Sequence, residues 1–348
     1  MKLFKGSLVD LSIRPQLKPT AMPLMYSLSP SSLTQYYQSD QGFNPLNFDV
    51  RKPITIPNKR KKNELSPRAK RNLKKSMHWL SFLSRPRRAT WSGVTKDKNY
   101  TLSFITLTLP AKQKHAHSEV TKRCLNLFFS NLRKTFGLSN YIWRAELQEN
   151  GNIHYHVVID VYIHYLAIRK YWNLALAKLG YLTLYANRFK DLSFEEYKEI
   201  RIKGGQTDIK KIRKAYRYGN STHWLSPNTT DVHKTRNIKN VIGYICKYLT
   251  KDQKKTGNAD YNKSLKALNG RLWFCSQSIS RLKNVKITFN PNSYANYLSL
   301  KKLEKTYKKT FDYAECCYFN LGDLSIHLRG LFSRLLYQEA AKCGYQIP

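Results

Sequence analysis

Apolar positions between residues 101 and 289 switch between a repeat of two and a repeat near 3.6, and the switching lays out a domain. TLSFITLTL (101–109) alternates and is rich in β-branched residues, which predicts a strand. Ser118 then caps a helix whose Leu125, Phe128, Phe129, Leu132 and Phe136 share one face. Alternation returns in YIWRAELQ (141–148) and IHYHVVIDV (153–161), separated by Glu149-Asn150-Gly151-Asn152, and Asn-Gly between alternating runs signals a hairpin. A helix over 164–179 turns Tyr165, Ile168, Trp172 and Leu179 inward and stops at Gly180. After a basic stretch (185–225), TTDVHKT is extended and residues 237–252 read as a helix. RLWFCSQ (271–277) and VKITF (285–289) read as further strands. This order implies an α+β fold, a central, mainly antiparallel sheet flanked by helices.

The flanks are patterned differently. Ser66-Pro67 supplies an N-cap and a proline at the first helical position, and Leu73, Met77, Leu80 and Leu83 follow at helical spacing. Residues 1–65 mix Pro, Ser, Asn and basic residues without periodicity, as a loosely packed arm would. Residues from about 300 onward read as helical. The expected division is a basic N-terminal arm with an amphipathic helix (1–95), a central domain (96–290) and a helical C-terminal extension (291–348).

Charge narrows the partner. The chain carries 61 Lys and Arg against 22 Asp and Glu, a formal net charge of +39. Such an excess suits a polyanion, because each cation near a phosphate releases a condensed counterion. With 24 Tyr, 15 Phe and 6 Trp among the basic residues, unstacked bases have rings to lie on, which favours single strands. The six cysteines form no CxxC pair and read as reduced thiols, and no signal pattern or membrane-length apolar run is evident. No G-x-x-x-x-G-K-[ST] occurs, so the phosphate-cradling loop of an ATPase is missing.

Two segments carry candidate chemistry. His154 and His156 are i and i+2 on a strand, so both imidazoles point to one face and make half a metal site. GYICKYLTK (243–251) places Tyr244 and Tyr248 one helical turn apart, each with a lysine three positions later, Lys247 and Lys251. A nearby ammonium eases deprotonation of a phenol and can hold a phosphate oxygen.

FITLTLP (104–110), HYH (154–156) and GYICKYLTK, in this order, resemble the three motifs of the HUH endonucleases, the rolling-circle replication initiators of single-stranded DNA phages, viruses and plasmids. The third is similar to the two-tyrosine motif of the gene A type, and the resemblance spans roughly residues 100–280. It implies one Mg²⁺ or Mn²⁺ held by His154 and His156, with a carboxylate from the preceding strand. Glu146 is the best match, since a three-residue loop would set it opposite His156. A two-residue Asn-Gly turn would instead set Leu147 opposite His154 and rotate Glu146 away, leaving Glu149 or Gln148. Asp231 and His233 alternate on one face and could also reach the metal. The resemblance further implies attack by Tyr244 or Tyr248 on origin DNA, a 5′-phosphotyrosine link and a 3′-OH primer, with Lys247 and Lys251 steadying the phosphate. The implied partners are a single-stranded origin, a host helicase and a DNA polymerase, with no membrane, in the cytoplasm of a bacterial host. The competing readings are a two-tyrosine HUH transposase and a non-catalytic single-strand binder.

Overall fold

In the computed structural model the described residues are 24–37, 65–84, 87–90, 93–96, 102–234, 245, 246, 249, 259–268, 270–288, 307–311 and 314–345. In chain order the first elements are strands β1 (Leu24–Ser29) and β2 (Ser32–Tyr37), helix α1 (Pro67–Leu83), and strands β3 (Arg87–Thr90), β4 (Gly93–Lys96) and β5 (Ser103–Leu107). Next come α2 (His117–Val120), a π-helical turn (Thr121–Leu125), α3 (Asn126–Phe136), β6 (Tyr141–Leu147), β7 (Ile153–Ile159), β8 (Tyr162–Ile163) and α4 (Tyr165–Ala177). Helices α5 (Tyr181–Phe189), α6 (Phe194–Lys203) and α7 (Ile209–Ser221) lead to β9 (Thr230–Lys234), α8 (Ala259–Ala267), β10 (Trp273–Cys275) and α9 (Gln277–Ser280). The last elements are β11 (Val285–Thr288), β12 (Tyr307–Phe311), β13 (Ala314–Tyr318) and α10 (Ile326–Lys342). The chain divides into two compact units, residues 59–281 and residues 1–58 with 282–348.

The unit of residues 59–281 is built on an antiparallel sheet of order β10-β6-β7-β5-β9. Its back face is sealed by aromatic side chains from the helices. Phe129 stacks on Tyr141 with ring centroids 3.9 Å apart, and Trp172 meets both Phe128 and Tyr155 edge to face. Burying each such ring contributes about 2 kcal/mol or more, enough to fix which face of every strand is inward. The Tyr155 hydroxyl, the middle of the His-x-His triplet, bonds to Thr121 Oγ1 at 2.8 Å, so this ring is core and its neighbours face the opposite way. Helix α1 packs against β6 and β10, with Leu73, Met77 and Leu80 fully buried and Ser66 Oγ accepting from the Ala69 amide as its cap.

Helix α2 starts ahead of the expected Ser118 cap, at His117 after an Ala116 N-cap that makes no side-chain bond. Leu125, Phe128, Phe129, Leu132 and Phe136 are all buried as the spacing requires. On α4, Ile168 and Trp172 are buried, but Tyr165 at the first turn is half exposed and lies beside Arg169. The basic stretch after Gly180, for which the sequence suggested no structure, is helices α5 to α7. They enclose their own small core of Ala186, Phe189, Tyr197, Ile212 and Trp224.

The second unit departs from the expected division. Strands β1 and β2 lie in the region read as an arm, and β12 and β13 in the region read as helical. With β11 they form an antiparallel sheet of order β11-β1-β2-β13-β12, so only 326–342 of the terminal segment is a long helix. The reason is distance along the chain: Thr34 pairs with Cys316, and no local periodicity reports a partner so remote. VKITF is a strand as expected, but it joins this sheet rather than the central one.

Candidate metal centre

The hairpin joining β6 to β7 sets the register on which the site depends. The Gln148 amide donates to Asn152 O and the Gly151 amide to Gln148 O, each at 2.8 Å, enclosing a three-residue loop of Glu149, Asn150 and Gly151. Gly151 sits at φ +79°, a left-handed conformation that glycine takes without a Cβ clash. The loop is three residues long as the favoured reading required, but it is centred one position earlier. Glu146 therefore stands opposite His154, and Arg144 opposite His156. Because 144, 146, 154 and 156 share parity, this offset leaves all four side chains on the front face.

There the acceptor atoms converge. His154 Nε2 and His156 Nε2 are 3.0 Å apart, and Glu146 Oε2 lies 3.4 Å from His156 Nε2 and 3.9 Å from His154 Nε2. These three side chains are only 13–14% exposed. Glu146 Oε1 and His154 Nδ1 are buried without a hydrogen-bond partner, a costly state for groups this polar. Burial and the neighbouring His156 push His154 down to about 4, against the pull of Glu146, so its imidazole stays neutral and able to coordinate. Burial pulls the Glu146 carboxyl up. The bond and charge of His156, with Arg144 and His154 added, outweigh it and hold the group below the usual carboxylate range. Two neutral imidazoles and one carboxylate with an orphaned oxygen could hold a divalent ion.

Three residues that the sequence reading did not single out complete the setting. Thr106 Oγ1 lies 3.3 Å from His156 Nδ1, which leaves Nε2 to face the cluster. The Phe104 ring stacks on His156 at 5.4 Å. Arg144 is fully buried and donates from Nη1 to Leu272 O at 3.2 Å. The signal for all three was parity, since each alternates in step with a ligand on its own or the adjacent strand. Helix α8 packs against β6, and burial together with the Glu146 charge raises the Tyr261 phenol.

The other candidates separate. Asp231 stands beside Thr106 on β9 and pairs with His233 at 2.9 Å, both well exposed, and neither joins the cluster. Glu149 lies in the hairpin loop. Tyr244, Lys247, Tyr248 and Lys251 lie outside the described residues. Between them Ile245, Cys246 and Leu249 are helical and buried, as expected of the apolar positions in GYICKYLTK. Among the described residues, no helix is long and apolar enough to cross a membrane.

Residues 102–253 match the family described as replication-associated protein, of the ORF2 and gene II protein type. The match takes in both histidines, Glu146 and the two-tyrosine segment, and it supports a rolling-circle replication initiator family. No curated protein and no solved structure matches the chain significantly.

Proposed function

We propose that this chain is a metal-dependent nickase that starts rolling-circle replication on single-stranded origin DNA. The observation that carries the reading is the convergence of Glu146, His154 and His156, inside the family match. A divalent ion bound there, Mg²⁺ or Mn²⁺, would polarise the scissile phosphodiester. Tyr244 or Tyr248 attacks phosphorus through its phenolate oxygen, and the bond from phosphorus to the 3′ oxygen breaks. The leaving oxygen takes up a proton as a 3′-OH, and the 5′ end stays on the tyrosine. Lys247 and Lys251 hold the phosphate oxygens and favour the phenolate. The second tyrosine repeats the attack on the regenerated origin, so that the first end can be joined to the new 3′-OH. A host helicase and polymerase supply unwinding and synthesis.

The test is covalent capture of a labelled random pool of single-stranded DNA on a denaturing gel, with Mn²⁺ or with EDTA. Wild type should give a shifted, metal-dependent band, absent from the Tyr244→Phe/Tyr248→Phe double variant. Retained DNA binding with no band under either condition would sink the nickase and leave a non-catalytic single-strand binder.

A further inference from the structure

Helices α5, α6 and α7 form a basic helical insert between α4 and β9, and its charges are sorted by helix. Helix α6 holds the acids Glu195, Glu196 and Glu199, two of them paired with Lys198 and Lys203. Helix α7, IKKIRKAYRYGNS, holds Lys210, Lys211, Arg213, Lys214 and Arg217 and no acid. Lys211 pairs with its N-cap Asp208 at 3.3 Å, and the Arg213 guanidinium lies over the Phe194 ring at 4.8 Å. Lys210, Lys214 and Arg217 remain exposed with no ion pair among the described residues.

Their geometry is that of a stripe. At 100° per residue the three fall within an arc of roughly 60°, and Lys210 to Arg217 spans about 10 Å of helix axis. Ile212 and Gly219 lie on the opposite face and are buried in the insert's core, so the stripe points straight outward. The rings of the insert are spent on that core: Phe189, Tyr197 and Tyr216 all pack around Trp224 with centroids 5.2–5.8 Å away. Tyr218 is the one large exposed ring on α7, and Ser226 ties down its hydroxyl at 2.9 Å. A surface for unstacked bases needs rings beside its cations. Here cations stand without them, on a helix of the width that a duplex groove admits.

We infer that the outer face of α7 grips the phosphate backbone of a DNA duplex, through Lys210, Lys214 and Arg217, as a contact separate from the metal centre. It deepens the nickase reading, because the duplex would be the stem flanking the nicked strand.

The experiment measures binding of the full chain, in EDTA and across a salt series, to two labelled probes: a DNA hairpin with a long perfect stem, and oligothymidine. EDTA removes any cleavage, so the result stands apart from whether the chain nicks. For Lys210→Ala/Lys214→Ala/Arg217→Ala, hairpin affinity should fall at least about tenfold, and the slope of log K against log salt should shrink by about 2 to 3. Oligothymidine affinity should stay at the wild-type value. A control triple, Lys122→Ala/Lys134→Ala/Lys178→Ala, removes the same charge from other exposed positions and should leave hairpin binding near wild type. Exchange of Lys and Arg at the three stripe positions should retain binding. An unchanged hairpin affinity in the stripe variant overturns the inference. So does an equal loss in the control triple, or an equal loss on oligothymidine.

Discussion

The front of the central sheet and the outer face of α7 are both charged, and they handle charge in opposite ways. On the sheet, Glu146, His154, His156 and Arg144 are nearly or fully buried, and each stands opposite another across the strands. Their ionisation is bent by one another and by the loss of water. On α7 the cations are exposed and keep full hydration, and three have no ion-pair partner among the described residues. A buried constellation concentrates its effect, since losing one member leaves the others wrongly solvated. An exposed stripe spreads its effect over its members, each worth little alone. The contrast separates a place for chemistry from a place for holding a polyanion.

The largest break should come at Glu146→Gln, which keeps the shape and removes the charge that two imidazoles face. Yield of the covalent adduct should fall by about a hundredfold or more, and Mn²⁺ affinity by calorimetry should fall with it. Hairpin binding should stay unchanged; a matching loss there would merge the two regions. A smaller effect is expected from Thr106→Val, which removes the group beside His156 Nδ1 while preserving bulk. Mn²⁺ affinity should drop by about 10- to 100-fold, the usual worth of a group that orients a ligand. The smallest change belongs to the insert. A Cβ at Gly219 would sit 2.3 Å from the Trp224 ring, so Gly219→Ala should cost about 1–3 kcal/mol through overpacking. It should appear as a lower melting temperature and altered tryptophan fluorescence, with Mn²⁺ affinity intact.

The sheet was the more legible region. A repeat of two in YIWRAELQ and IHYHVVIDV is enough to place Glu146 with the two histidines, because one-residue uncertainties in a turn matter only through parity. The same arithmetic explains the one-position error in register: an Asn-Gly pair can close a two-residue turn or finish a three-residue one. Strand pairs such as Thr34 with Cys316 were invisible, since β-branched or aromatic residues occur there in runs too short to identify on their own. The insert was missed for another reason. FEEYKEIRIK is polar nearly all round, and what makes it helical is a Ser193–Glu196 capping box and the packing of Tyr197 under Trp224. Those contacts are tertiary, and composition masks them as a basic linker.

The sheet made from both ends of the chain sets an order of events during synthesis. Residues 59–281 leave the ribosome complete before β11, β12 and β13 exist, so the unit bearing the metal cluster can fold first. Meanwhile β1 and β2 are a two-strand ribbon with two open edges, marginal in water and prone to pair with another chain. A nascent chain halted before residue 285 would thus carry a finished cluster and a sticky hairpin, whereas release of the full chain closes the ribbon into five strands.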